Sequence, residues 1–407
     1  MNRITKTDNS IKPRLVIVVA TEFLLFFRGC ITNLCSSGFD VSTVTASGPE
    51  QELIRLEGAS TFDVPINREI SPLADVLSLW RLWRVLRSIR PEITNSGNPK
   101  AGLLGGLAAV LAGVPCRIYT LHGIRFETTT GVKRRILAWT ERIACKCSHR
   151  VICVSLSLQQ RAIKLGLVEE TKTCVIPCHG VEVERYVDTI ENLDKADELR
   201  RELNLSKKSL VIGFVGRFTR DKGIPELIDA YDKLRCEYPT LRLLLVGRFE
   251  DGDPVPLNLR MRIERDESIL RPGFVSDTSS YYHLMDIAVL PTWREGFGLV
   301  NIEAQAAGKP VVTTRVTGAI DSVLEGETGI LVPAGDVAAL VQAIGSLLGD
   351  ASRRAKMGRR GQKWVTREFS RGKILAELTY EYHNLMIERL GSGLHESSNC
   401  DTTERHQ

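Results

Sequence analysis

Two short charged segments carry residue types suited to chemistry on phosphate and sugar. The first, Gly213-Phe214-Val215-Gly216-Arg217-Phe218-Thr219-Arg220-Asp221-Lys222-Gly223, leaves an apolar run and enters a helical pattern over 224–234. Glycines such as Gly216 let the backbone turn sharply. Arg217 and Lys222 offer a guanidinium fork and an ammonium at a helix entrance, which suits a diphosphate. The spacing is neither G-x-G-x-x-G nor a P-loop, and an ordinary strand-to-helix turn with solvated basic side chains is the other reading of the segment.

The second segment, Pro291-Thr292-Trp293-Arg294-Glu295-Gly296-Phe297-Gly298-Leu299-Val300-Asn301-Ile302-Glu303, sets Glu295 in a loop and Glu303 inside the helix that Gly298 opens. Free amides at that start, at Gly298 and Leu299, can meet phosphate oxygens, and nearby carboxylates can accept bonds from sugar hydroxyls. In isolation Glu295 also serves as a helix-dipole partner and Glu303 as a solvated face residue. A glycosidase acid/nucleophile pair is a further reading of two carboxylates, but the glycine-rich turn and basic neighbours fit a phosphate leaving group better.

Metal chemistry has weaker support. Asp251-Gly252-Asp253 is a D-x-D that can hold a divalent ion against a diphosphate, yet it lies in a Pro-containing loop of a segment already supplied with cations. Cys145, Cys147, Cys174 and Cys178 lack a C-x2-C pair, and the ten cysteines sit scattered, several in apolar runs, as reduced thiols do. The sequence predicts no metal site and no cofactor.

The elements that must position these groups are legible as short Val/Ile-rich runs separated by helical patterns, the mark of parallel sheets covered on both faces. Strands are expected at 15–19, 41–44, 117–120, 151–154 and 174–177, and again at 210–215, 241–246, 287–290, 310–314 and 329–332. A polar, charged stretch separates the two series. The expected division is a flexible start at 1–11, a doubly wound α/β domain at 12–190, a second at 191–368, a helix at 369–390 and a disordered tail at 391–407. Ligands of such sheets bind at the carboxyl ends of the strands.

Composition narrows the partners. With 407 residues and a formal net charge of +5, the whole-molecule field is too weak to favour nucleic acid. The apolar run 15–27 is broken by Glu22 and ended by Arg28, short of the ~20 residues a spanning helix needs, and 102–114 is also too short. A cytoplasmic protein is expected. Residues 79–90, with Trp80, Trp83 and Arg84, read as a helix lying on an anionic membrane surface or as a core-facing helix with snorkelling arginines. Arg125, Lys133, Arg134, Arg135 and Arg142 add positive charge to the same half.

In order and spacing, Glu295 and Glu303, the strand-Gly-Arg element ending in Lys222-Gly223, and Gly329-Ile330-Leu331-Val332-Pro333-Ala334-Gly335-Asp336 closely resemble the retaining GT-B glycosyltransferases of the large E-x7-E family, of the glycosyltransferase family 4 type. The resemblance implies two Rossmann-like domains facing across a cleft. It implies that Arg217 and Lys222 hold the donor diphosphate, that Glu295 touches the donor sugar, that Glu303 binds the ribose, and that the backbone at Phe274 and Val275 meets the nucleobase. Asn98-Pro99-Lys100-Ala101-Gly102 and Tyr119-Thr120-Leu121-His122-Gly123 look like the branch acting on polyprenyl-diphosphate-linked acceptors, which places His122 near the leaving group or the reactive sugar.

Three segments depart from the family pattern: Ala20-Thr21-Glu22-Phe23-Leu24-Leu25-Phe26-Phe27 stands where a paired-glycine loop is common, His179-Gly180-Val181-Glu182 where Asn-Gly-Val-Asp is, and Val316-Thr317-Gly318 where a glycine pair is. The implied activity is metal-independent transfer of a hexose or N-acetylhexosamine from a nucleotide diphosphate sugar, UDP before GDP, to a lipid-linked sugar at the inner face of a bacterial membrane. A nucleotide-sugar 2-epimerase and a catalytically silent sugar-nucleotide-binding subunit share the scaffold.

Overall fold

The computed structural model describes residues 12–20, 24, 27, 29–66, 71–177 and 180–391, so the expectations for 1–11, 392–407, His179 and most of the 20–29 loop lie outside the described residues. The Val/Ile runs form two sheets. The first contains β1 (Arg14–Val18), β2 (Asp40–Thr45), β3 (Ser60–Asp63), β4 (Ile93–Gly97), β5 (Cys116–Leu121), β6 (Arg150–Cys153) and β7 (Thr173–Val175), in the order β3-β2-β1-β4-β5-β6-β7. The second contains β8 (Leu210–Val215), β9 (Leu241–Val246), β10 (Ile269–Gly273), β11 (Ile287–Leu290), β12 (Val311–Thr314) and β13 (Gly329–Val332), in the order β10-β9-β8-β11-β12-β13. Strand pairs in both sheets run parallel, as in β1 with β2 and β8 with β9.

By backbone proximity the chain divides into two compact units, one of residues 1–120, 140–152 and 375–407, the other of 121–139 and 153–374. In the second unit β8, β9 and β11 are sandwiched by helices, and Ile212, Phe214, Leu243, Leu245, Ile287 and Val289 form its core with Ile224, Leu227 and Ile344. Burial on both faces is why these strands read as continuous apolar runs.

Three strands were not among those expected, each for a physical reason. β4 reads Ile-Thr-Asn-Ser-Gly but is fully buried in the middle of its sheet, where the Asn95 amide is bonded internally. Asn95 donates to the Tyr382 hydroxyl (2.6 Å) and accepts from Thr120 (2.8 Å). β3 is a short edge strand, and β10 is an edge strand containing Pro272, which an edge tolerates.

The last helix, Arg371–Leu390, matches the expected 369–390 helix closely and packs its end into the first unit. Tyr382 meets Phe39 edge-to-face with ring centroids 5.9 Å apart, and Arg150 pairs with Glu381 at 2.6 Å. The helix Pro72–Ile89 divides between the two readings of its tryptophans. Trp80 is exposed under Arg84, whereas Trp83, about 60° round the helix from it, is half-buried, packing against the core that includes Val16 and Leu82 with Arg87 over its ring.

Candidate functional site

In the second sheet chain progress reverses between β8 and β11, so the loops leaving these neighbouring strands diverge at their carboxyl ends. Both charged segments are those loops. Close backbone approach binds them together: Gly223 has φ +73°, and a Cβ there would collide with the carbonyl of Pro291. Asp221 completes the join, its carbonyl accepting from the Trp293 amide (2.8 Å) and the Thr292 hydroxyl (3.1 Å).

Across this junction the Lys222 ammonium is ion-paired with Glu295, with the two side chains 17% and 14% exposed. One residue earlier in each loop, Arg294 pairs with Asp221 at 2.8 Å. Arg217 pairs with Glu250 from the loop after β9. The structure thus brings Arg217, Lys222 and Glu295 into one region and adds Asp221, Arg294 and Glu250, which sequence reasoning did not single out. Their signal was present in the complementary order of Asp221-Lys222 and Arg294-Glu295.

Gly298, with φ +84°, caps the helix Leu299–Ala306, on which Glu303 sits one face away from the loop. Glu303 is not a solvated face residue. The Tyr282 hydroxyl donates to it at 2.8 Å, Tyr186 also bonds to it, and burial pushes its carboxyl up to about 7. The two tyrosine rings lie 5.8 Å apart.

His122 joins the Glu295 loop through its backbone: a Cβ on Gly296 would collide with the His122 carbonyl, so only glycine lets the two segments touch. The Ser155 hydroxyl donates to the Gly296 carbonyl at 2.7 Å and holds the turn from another side. Burial pushes the His122 imidazole down to about 4, leaving it neutral near pH 7. It can therefore give or take a hydrogen bond there but carries no charge.

Phe274 and Val275 follow β10, two strands from β8; Phe274 is exposed, with the Arg248 guanidinium 5.4 Å from its ring centre. The remaining named residues fall elsewhere. Lys100 pairs with Asp75 at 2.6 Å in the first unit, which also holds Trp80, Trp83 and Arg84, while Arg125 opens a short 3-10 turn, Arg125–Thr128, in the second. The D-x-D carboxylate Asp253 accepts the Asp221 amide at 2.7 Å, so it has a structural partner in the same loop system. Among the described residues no three His, Cys, Asp or Glu side chains cluster as metal ligands.

Two family descriptions match the chain: "Glycosyl transferases group 1" over residues 195–364 and "Glycosyl transferase 4-like domain" over 26–179. It is similar to the capsular polysaccharide biosynthesis glycosyltransferase CapM of Staphylococcus aureus, 35% identical over 92% of this chain and 98% of the relative. It is also similar to the UDP-Gal:alpha-D-GlcNAc-diphosphoundecaprenol alpha-1,3-galactosyltransferase of Escherichia coli, 30% identical over 75% of this chain and 79% of the relative. Among solved structures, Anabaena HepE in complex with UDP-glucose superposes with a TM-score of 0.76 at 21% identity, over 91% of this chain and 100% of that one.

Proposed function

The chain belongs to the GT-B glycosyltransferases, and from that premise we propose that it moves a hexose or N-acetylhexosamine from a nucleotide diphosphate sugar, UDP before GDP, to a polyprenyl-diphosphate-linked sugar in cell-surface polysaccharide synthesis. The observation that carries this reading is the Lys222–Glu295 pair at the strand-order reversal, beside the capped start of the helix Leu299–Ala306. A diphosphate there finds an ammonium, the Arg217 guanidinium and helix amides, while Glu295 is placed to accept from sugar hydroxyls. The acceptor class is supported by the Escherichia coli relative, whose name specifies a diphosphoundecaprenol-linked substrate.

Bond cleavage drives negative charge onto the departing diphosphate, and preorganised cations stabilise that charge most when it is fully developed. Lys222 and Arg217 have this role. Attack from the face that the leaving group vacates retains configuration, with the departing phosphate accepting the acceptor's proton. His122, neutral near pH 7, positions without donating a charge. No metal takes part in this scheme, because the cationic side chains do the neutralising.

No helix among the described residues is long and apolar enough to cross a membrane. Membrane contact in this proposal is peripheral, through the outward face of the helix Pro72–Ile89, where Leu73, Val76, Leu77 and Trp80 are exposed beside Arg84.

The deciding experiment incubates the purified chain with labelled UDP- and GDP-sugars and an undecaprenyl-diphosphate-linked N-acetylglucosamine acceptor, then determines the anomeric configuration of the product. Acceptor-dependent transfer with retention is expected. Conversion of donor without acceptor indicates the epimerase, binding without turnover the silent subunit, and an inverted product overturns the proposed geometry.

A further inference from the structure

We propose that Asp221 and Arg294 are positioning residues for sugar transfer: their ion pair sets the register of the two loops and so holds Lys222 and Glu295 opposite one another. The inference rests on the transferase reading above. Each loop carries two adjacent opposite charges, acid then base in Asp221-Lys222 and base then acid in Arg294-Glu295. The observed register pairs 221 with 294 and 222 with 295, satisfying all four charges. A slip of one residue would set Asp221 against Glu295 or Lys222 against Arg294, and like charges in so shielded a place are costly.

Asp221 is fixed on every side. Its carboxylate accepts from the Thr219 hydroxyl at 2.6 Å as well as from Arg294 at 2.8 Å, its amide donates to Asp253 and its carbonyl accepts from Trp293. Burial pushes the carboxyl up, but the Thr219 bond and the charges of Arg294, Lys222 and Arg217 hold it below its ordinary value, so it stays ionised. Only 11% of the Asp221 side chain and 27% of Arg294 are exposed. Arg294 Nε is buried without a hydrogen-bond partner, a cost the loop carries to keep the guanidinium on Asp221. Nothing in this arrangement directs Asp221 at a substrate. Its effect reaches the donor through the next residue along each loop.

A double-mutant cycle separates positioning from direct contact and from general stability. The assay measures transfer from whichever labelled UDP-hexose or UDP-N-acetylhexosamine the wild-type chain uses, and binding of UDP by calorimetry. Arg294→Met is expected to lower kcat about tenfold, with UDP affinity within about twofold of wild type. In a Lys222→Ala background the same change should lower kcat by less than about twofold, because the Lys222–Glu295 pairing whose register it sets is already gone. If Arg294→Met does not fold, Asp221→Asn, which keeps the Thr219 bond, enters the same cycle with the same expectation.

A tenfold loss in both backgrounds, a loss of UDP affinity, or an unchanged kcat would overturn the positioning role while leaving the transferase reading intact. A wild-type chain that transfers from no donor would remove that reading, and this inference with it.

Discussion

The ammonium of Lys222 and the carboxylate of Glu295 share an ion pair that solvent scarcely reaches. Cutting it from either end has different consequences. Lys222→Ala removes the charge that meets the departing diphosphate, and turnover at saturating donor should fall about a hundredfold, roughly 2.7 kcal/mol at the transition state. Glu295→Gln keeps the shape but loses the acceptor for sugar hydroxyls. UDP should then compete nearly as well as against wild type while transfer falls; normal transfer with lost UDP affinity would contradict the sugar-facing role.

Glu303 sits at a titration point that activity can report. Burial raises its carboxyl to about 7, and the ionised form is the stronger acceptor for ribose hydroxyls. UDP affinity should therefore rise as pH increases from about 6 to about 8. Calorimetry with Glu303→Gln over the same range subtracts the titration of the nucleotide itself, and the difference between the two series should carry the whole effect. Parallel series would mean that Glu303 does not meet the nucleotide.

A second buried acid predicts stability. Glu141 accepts from the Tyr119 hydroxyl, and burial pushes it up to about 7 from an ordinary 4.5. The folded chain then holds a proton that the unfolded chain releases, so this group's contribution is greatest below about pH 4.5, declines as pH rises to about 7 and is level above. Glu141→Gln removes that decline. Relative to wild type the variant should gain up to about 3 kcal/mol across the window, read as diverging unfolding midpoints. A constant difference would show that Glu141 ionises normally.

Transfer should survive EDTA, because Arg217 and Lys222 supply the neutralising charge. Asp253→Ala should lower activity for a reason other than metal binding. Its carboxylate holds the Asp221 amide, so the variant should lower transfer severalfold, roughly 1 kcal/mol. Neither manganese nor magnesium should restore it. Recovery on adding either ion would assign the D-x-D to metal.

Binding to anionic vesicles should weaken when Leu73 or Val76, both exposed on the helix Pro72–Ile89, becomes aspartate, and 1 M salt should release the wild type, as a surface attraction screened over roughly 3 Å requires. Sedimentation with vesicles measures both. Equal binding by the variants would move the contact elsewhere.

What the sequence shows plainly is whatever rests on apolar periodicity. β8, β9, β11 and β13 begin and end where their Val/Ile/Leu runs do. β4 escaped notice because Thr94, Asn95 and Ser96 look like a turn; only in the fold do Tyr382 and Thr120 satisfy the Asn95 amide and let it lie buried. The same holds for the site. Arg217, Lys222, Glu295 and Glu303 announce themselves by type and spacing; Asp221 and Arg294 are readable only in the complementary charge order of the two loops, and the partners Glu250 and Tyr282, on other elements, only once the fold brings them in. Trp80 and Trp83 show the limit from the other side, since the basic stretch they share does not tell that one is exposed and the other half-buried against the core.

The bond from Asn95 to Tyr382 joins residues 287 positions apart. On a ribosome adding about 5–20 residues per second, Asn95 emerges roughly 15–60 s before its partner exists. Through that interval the Asn95 amide nitrogen on the central strand of the first sheet lacks the acceptor it has in the finished fold, and the surfaces of Phe39 and Arg150 that the last helix covers stay open. The second unit, whose residues 153–374 are all made earlier, can close first. The portion translated first is thus the last to be completed, and it is the nascent chain, held half-finished at a growing polyribosome, that most needs chaperone cover.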